Sequence, residues 1–445
     1  MKSPSPLTSR PVTSLAGSVA APGDKSISHR ALILGACAVG ESTISGLSEG
    51  ADVARTAAAL AALGAGIERG ADGVWRLWGL GVGGLHEPAG VLEMGNSGTA
   101  ARLLMGLVAS QPLTCFFAGD ASLSARPMAR VTAPLEALGA RVVARSGGRL
   151  PLAVIGAAHP LPISYRLPVA SAQVKSAILL AGLNCAGRTT VIEPQPTRDH
   201  TERLLRHFGA ALGVTAGEDG ARVITLEGQP ELTGRALHIP GDPSSAAFLA
   251  VAAACAREAE ITVTGVGVNG LRSGLLECLA EMGAELELAN RRELDGEPVA
   301  DLRLRSGPLQ GIEVPASRAP SMIDEYPILS VAAACARGQT VMRGLAELRH
   351  KESDRLAAIA RGLGACGVAV DELEDGLRIT GCGGAPPGGA RVAAEHDHRI
   401  AMAFLVLGAV AREAVTIDDG AMIATSFPDF VATLNGLGAE IRAAA

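Results

Sequence analysis

The stretch Pro22-Gly23-Asp24-Lys25-Ser26-Ile27-Ser28-His29-Arg30 sets two strong cations and a hydroxyl before an apolar run, Ala31 to Ala38. Asp24 or Ser26 can cap the helix that run implies, leaving its first backbone N–H groups open. A helix start carries partial positive charge, and Lys25 and Arg30 would sharpen it into a site for a phosphate or carboxylate. Alone, the stretch is better read as a capped helix with solvated basic side chains. The same polar start and apolar body return at Gly95-Asn96-Ser97-Gly98-Thr99-Ala100-Ala101-Arg102 and at Ala170-Ser171-Ala172-Gln173-Val174-Lys175-Ser176. They return again at Pro240-Gly241-Asp242-Pro243-Ser244-Ser245, at Ala319 to Ala334 with Asp324 and Glu325 near the start, and at Asp397-His398-Arg399 before Ile400 to Ala409. Chance rarely produces so many alike.

Three further clusters carry charge. Arg349-His350-Lys351-Glu352-Ser353-Asp354-Arg355 precedes a helix-like run, Leu356 to Leu363. On a helix, Lys351 and Arg355 share a face with Glu352 one turn before Arg355, a pattern suited to holding an anion while moving a proton. Asp120 to Arg126 reads as a small-residue loop presenting Arg126 before Pro127, and Pro194 to His200 presents Arg198 between Thr197 and Asp199. Guanidinium pairs bidentately with phosphate and carboxylate. The acid–base candidates are Asp324, Glu352 and His398.

These groups need a scaffold, and a second motif supplies its rhythm. Leu63-Gly64-Ala65 is echoed by Leu138-Gly139-Ala140, Phe208-Gly209-Ala210, Met282-Gly283-Ala284, Leu363-Gly364-Ala365 and Leu437-Gly438-Ala439. Each ends an Ala/Leu-periodic helix on Gly and opens a short alternating strand. The copies lie roughly 70–80 residues apart, a repeat spacing that predicts small α/β units packed around helices. The two Pro-Gly-Asp turns divide them into two domains of three units, residues 23–240 and residues 1–22 plus 241–445. The chain crosses near Pro22 and Pro240, with a ligand cleft expected between the domains.

A chain of 445 residues suffices for two full cores, and at 48% hydrophobic but 2% aromatic the interior is built of Ala, Leu, Val and Ile. The formal charge of −6 and scarcity of aromatics exclude an ordinary nucleic-acid binder. The eight cysteines show no metal-ligand spacing, and Cys255 and Cys335, in matching Ala-Ala-Ala-Cys-Ala-Arg segments, read as small apolar residues. No run approaches the ~18 apolar residues of a membrane span. Met1 to Val12 lacks the apolar stretch of a secretory signal and looks too short for a transit peptide, so a cytoplasmic location is expected.

The motifs Asp24-Lys25-Ser26 to Arg30, Gly95-Asn96-Ser97-Gly98-Thr99, Ser124-Ala125-Arg126-Pro127, Ser171-Ala172-Gln173, Lys351-Glu352-Ser353-Asp354-Arg355 and Asp397-His398-Arg399 resemble those of the enolpyruvyl transferases. They cover essentially the whole chain in order, and the likeness is to the shikimate 3-phosphate enzymes, in their divergent bacterial branch. It implies a two-domain inside-out α/β barrel, each domain having three βαβαββ-like units around buried helices. It also implies transfer of the enolpyruvyl group of phosphoenolpyruvate to the 5-hydroxyl of shikimate 3-phosphate by addition and elimination, on the way to chorismate and the aromatic amino acids. By resemblance, Lys25, Gly98, Arg126, Gln173, Lys351, Arg355 and Arg399 hold phosphoenolpyruvate. Lys25, Ser26, Arg30, Ser171, Ala172, Gln173, Arg198, Asp324 and Lys351 hold shikimate 3-phosphate. Asp324 and Glu352 move the protons, and Lys25 shares that duty. No metal or cofactor is implied, and a monomer is expected.

The sister transferase acting on UDP-N-acetylglucosamine normally carries a reactive Cys in its Ala-Arg-Pro loop, whereas Gly119 to Pro127 has none and Cys115 lies in a strand-like context. RNA-end phosphate cyclases share related repeats but would need a basic surface. A non-catalytic anion-binding homologue would not need both Asp324 and Glu352. Two positions depart from the commoner pattern: Thr425 stands where many members have Lys before Ser426-Phe427-Pro428, and Leu103 where many have Pro. Some members that tolerate the herbicide glyphosate carry Ala at the Gly98 position, where a methyl would crowd the inhibitor. Gly98 removes that obstacle, and an intermediate sensitivity is expected.

Overall fold

In the computed structural model, which describes residues 5–444, each polar start leads into a helix buried along nearly its whole length. These helices are Lys25–Ala36, Gly98–Ala109, Ala172–Gly182, Pro243–Cys255, Tyr326–Cys335 and His398–Val410. Their bodies are apolar all round, so they gain stability only inside a core. Five carry a side-chain cap: Asp24 accepts from Ile27 N at 2.8 Å, Ser97 from Ala100 N at 3.2 Å, Ser171 from Val174 N at 3.4 Å, Asp242 from Ser244 N at 2.7 Å and Asp397 from Arg399 N at 2.9 Å. Small residues let the helices approach closely. A Cβ on Gly106 of the Gly98 helix would lie 2.4 Å from the carbonyl oxygen of Ala177 on the Ala172 helix.

The strands of the described residues form six four-stranded sheets. In four repeats the short strand before the buried helix pairs in parallel with the strand after it, as Leu92–Glu93 does with Thr114–Ala118. The two remaining strands of this kind are exchanged. Ser14–Ala20 precedes the Lys25 helix but pairs with Glu258–Gly267, while Ala236–His238 precedes the Pro243 helix but pairs with Glu41–Ser45. Leu7–Arg10 also completes a sheet, between Val415–Ile417 and Glu440–Ala443. The segment Met1 to Val12 therefore contributes a strand of the fold at 7–10, while residues 1–4 lie outside the described part.

Contacts group Gly23–Ile239 with Leu294–Glu297 as one unit and the rest of the described chain as another, each with its own apolar core. No described helix is long and apolar enough to cross a membrane. The repeated Gly after each outer helix takes a left-handed conformation at Gly64, Gly139, Gly209, Gly283 and Gly438. The copy at Leu363-Gly364-Ala365 differs: the helix Arg355–Ala365 runs through it, and Gly367, with φ 75°, makes the turn. The run Ala319 to Ala334 is not one helix either. It breaks between Ala319–Met322 and Tyr326–Cys335, because Pro327 belongs at a helix start, and Asp324 and Glu325 lie in the bend.

Candidate active site

In the unit containing Gly23–Ile239, the Asp24 cap exposes the first turn of the Lys25 helix, where Lys25 pairs with Asp52 at 3.2 Å. The turn before it tolerates no side chain at Gly23, whose Cβ would fall 1.8 Å from the carbonyl oxygen of Gly46. One turn on, buried Arg30 donates from Nε to Thr201 Oγ1 at 2.6 Å, from Nη2 to Ser176 Oγ at 2.7 Å and from Nη1 to the Ser26 carbonyl at 2.8 Å. Burial lowers its pKa to about 10 against the pull of Glu202 and Asp24, and nearby Arg198 adds to the fall. The guanidinium stays charged at neutral pH. His29, beside it, bonds to Thr56 at 2.7 Å and is pushed well below the ordinary imidazole range by burial, then by Lys25 and Arg30.

The Gly98 and Ala172 helices are tied at their polar starts. Arg102 Nη1 donates to Gln173 Oε1 at 3.0 Å and to the Gly98 carbonyl at 3.2 Å, and Gln173 Nε2 donates to Thr99 Oγ1 at 3.0 Å. Arg126 donates to Asn96 Oδ1 at 2.9 Å and Ser122 Oγ at 3.0 Å. It follows a short helix, Ala121–Ala125 capped by Asp120, and not the open loop its small residues suggest. Ser171 caps the helix that Ala172 and Gln173 begin. Arg198 is partly exposed just before the helix His200–His207, and buried His200 Nδ1 meets Glu297 Oε1 at 2.7 Å.

In the other unit, one buried guanidinium organises the polar residues. Arg355 Nε donates to Asp397 Oδ2 at 2.7 Å, Nη2 to Glu352 Oε2 at 2.6 Å and Nη1 to Asp324 Oδ1 at 3.3 Å. Burial lowers the pKa of Arg355, but Asp397, Glu352 and Asp324 outweigh it and hold the group far above its usual value. Lys351 Nζ stands 3.6 Å from Asp324 Oδ1, and Arg399 Nη1 donates to the Asp324 carbonyl at 3.2 Å. Behind them, buried Arg272 lies 3.3 Å from both Asp242 and Glu325, and Ser244 Oγ donates to Glu325. His398 is buried in the first turn of its helix.

The Lys351 to Arg355 stretch does not form the helix that its spacing predicts. Residues 351–354 are not helical: Asp354 caps the helix and Arg355 is its first residue. Lys351 and Arg355 therefore do not share a helix face, and both reach Asp324 from different backbone geometries. Asp324, Lys351, Glu352, Arg355 and Arg399 are gathered with Asp397, while Lys25, Ser26, Arg30, Gly98, Arg126, Ser171, Ala172, Gln173 and Arg198 lie in the Gly23–Ile239 unit. Asp52, Arg102, Lys175, Glu193, Glu202 and Arg272 also join these polar networks, without being among the site residues expected from the sequence. Arg102 had a signal, since it follows Gly98 by one helical turn; the others pair across long sequence separations that no local pattern marks.

A family model described as EPSP synthase (3-phosphoshikimate 1-carboxyvinyltransferase) matches residues 9–434. The chain is 63% identical over 436 residues to the 3-phosphoshikimate 1-carboxyvinyltransferase of Paramagnetospirillum magneticum, covering 98% of each chain. It is 62% identical to that of Rhodospirillum rubrum over 442 residues, again covering 98% of each. An EPSP synthase structure from Acinetobacter baumannii superimposes with a TM-score of 0.86 at 42% identity, covering 98% of this chain and 100% of that one. The enolpyruvyl transferase NikO from Streptomyces tendae, at 19% identity and a TM-score of 0.79 over 99% of both chains, shares the fold.

Proposed function

The chain belongs to the EPSP synthase family, and from that premise we propose how its own residues carry the family's reaction. The enzyme transfers the enolpyruvyl group of phosphoenolpyruvate to the 5-hydroxyl of shikimate 3-phosphate and releases inorganic phosphate. The hydroxyl oxygen bonds to C2 of phosphoenolpyruvate as its proton leaves and C3 gains a proton. C3 then loses a proton as the C2–phosphate bond breaks, restoring the double bond.

Asp324 acts at the reacting hydroxyl, and Glu352 exchanges the proton at C3. The supporting observation is that both carboxylates are held on one guanidinium, that of Arg355, at 3.3 and 2.6 Å. Lys351, Arg355 and Arg399 add positive charge there for the phosphoenolpyruvate carboxylate and phosphate, with Arg126, Gln173 and the Gly98 helix start. Ser26, Arg30, Ser171, Ala172, Gln173 and Arg198 take shikimate 3-phosphate together with Asp324 and Lys351. Lys25 serves both substrates, shares in proton transfer, and stabilises the departing phosphate. Both groups of residues are assigned to one reaction, carried out by a monomer in the cytoplasm. The test is phosphate release from phosphoenolpyruvate with shikimate 3-phosphate and, separately, with UDP-N-acetylglucosamine. Release only with the former is expected; release only with the latter would overturn the substrate assignment.

We propose that Gly98, along with Leu103 and Thr425, contributes to the response to glyphosate. A Cβ there would lie 2.6 Å from Arg102 Nη1 and 3.2 Å from Arg126 Nη1, so Ala must displace one guanidinium and crowd the other. Gly98→Ala is expected to raise the glyphosate concentration for half-inhibition about tenfold or more, the usual weight of one misplaced methyl in a fitted pocket. Because Arg102 also holds Gln173, KM for phosphoenolpyruvate should rise too. Superimposable inhibition curves for the native and variant enzymes would sink the steric account.

A further inference from the structure

We propose that the buried Lys175–Glu193–Glu202 cluster is a strut that positions Arg198 and Arg30 to receive shikimate 3-phosphate; this rests on the assignment of both arginines as its ligands. Lys175 is wholly buried in the second turn of the Ala172 helix, with Nζ at 2.9 Å from Glu193 Oε1 and 2.8 Å from Glu202 Oε1. It also donates to the Thr197 carbonyl at 3.3 Å. Glu193 accepts from Thr197 N at 3.0 Å and from Thr197 Oγ1, and lies 3.3 Å from Arg222. The N–H, carbonyl and hydroxyl of Thr197 are therefore all held by this cluster, and Arg198 is the next residue. The Pro194-Gln195-Pro196 segment between Glu193 and Thr197 is stiffened by two fixed φ angles.

The far end of the strut reaches the second arginine. Glu202 stands on the helix His200–His207, whose Thr201 accepts from Arg30 Nε at 2.6 Å and shares a hydrogen bond of 2.7 Å with Ser176 of the Ala172 helix. The Arg198 charge is close enough to lower the pKa of Arg30, and two such guanidiniums repel unless an anion joins them, so a flexible loop would carry Arg198 away from Arg30. A buried ion cluster adds little net stability over packed apolar side chains. What this one supplies is a fixed distance between two cations before the ligand arrives, which lowers the ordering cost of binding.

Thr197→Val keeps the side-chain shape and both backbone bonds but removes the hydroxyl on Glu193. The dissociation constant for shikimate 3-phosphate, measured by titration calorimetry, should rise about tenfold, the effect of losing one hydrogen bond to a charged group. KM for phosphoenolpyruvate should stay within about twofold, and Thr197→Ser should restore binding. Arg198→Ala is measured alongside. If Arg198→Ala weakens shikimate 3-phosphate and Thr197→Val does not, the strut is refuted while the ligand assignment stands. If Arg198→Ala leaves that affinity unchanged, the ligand assignment falls and the strut with it. Equal losses for both substrates in Thr197→Val would show a general disturbance of the fold and overturn the positioning role.

Discussion

Asp324→Asn is expected to lower kcat by about 10²- to 10⁴-fold, the range associated with losing a positioned proton-transfer group. Asn preserves size and can still meet Lys351 and Arg355 through its carbonyl oxygen, but it cannot take a proton from the 5-hydroxyl. Shikimate 3-phosphate should still bind within a few-fold of native affinity, because Asn keeps a hydrogen-bonding oxygen at position 324 and the cations and helix starts that also hold the substrate are untouched. Glu352→Gln should show a similar kcat loss through C3. The two losses should not add in the double variant, since groups acting on one reaction sequence are strongly non-additive. The measurement is phosphate release for kcat with calorimetry for binding; undiminished kcat in Asp324→Asn would remove this residue from proton transfer.

Arg355→Met is expected to abolish turnover and also to destabilise the protein, which separates it from the carboxylate variants. Arg355 has only 1% of its side chain exposed, and Asp397 none, so removing the guanidinium strands a buried carboxylate and leaves Glu352 and Asp324 without their shared cation. Breaking a buried pair from one side costs about 3–5 kcal/mol. For a unit of roughly 200 residues that is a fall in Tm on the order of 10 °C. Arg355→Lys keeps a charge but not the fork that meets three carboxylates, so it should recover much of the Tm and little of the activity. A native Tm in Arg355→Met, read by differential scanning calorimetry, would show that Arg355 does not hold these carboxylates together.

The repeated architecture was legible because its causes are local. Ala/Leu runs that are apolar on every side can only be buried helices, and a Gly at the end of each outer helix marks a left-handed turn. Five of those turns fall where the Leu-Gly-Ala motif places them; the sixth moves to Gly367 because Gly364 continues the helix. The bend at Asp324 and Glu325 was not legible, since Ala319 to Ala334 has a helical composition throughout and the break depends on how Pro327 is placed. The non-helical form of residues 351–354 was hidden for a similar reason: Asp354 had to be recognised as a cap within a charged stretch.

By itself the sequence determined the α/β repeat, the polar start on each buried helix and, through its motifs, membership of the enolpyruvyl transferases. These are matters of periodicity, capping chemistry and residue order, all short in range. Tertiary structure alone decided the partners. Asp52 reaches Lys25 from 27 residues away, Asp397 reaches Arg355 from 42 and Thr201 reaches Arg30 from 171. It also decided that Ser14–Ala20 and Ala236–His238 exchange sheets and that Leu7–Arg10 completes another. Charge pairing and strand pairing act between whichever groups the packed helices bring within a few ångströms, and no local pattern in the chain records that distance.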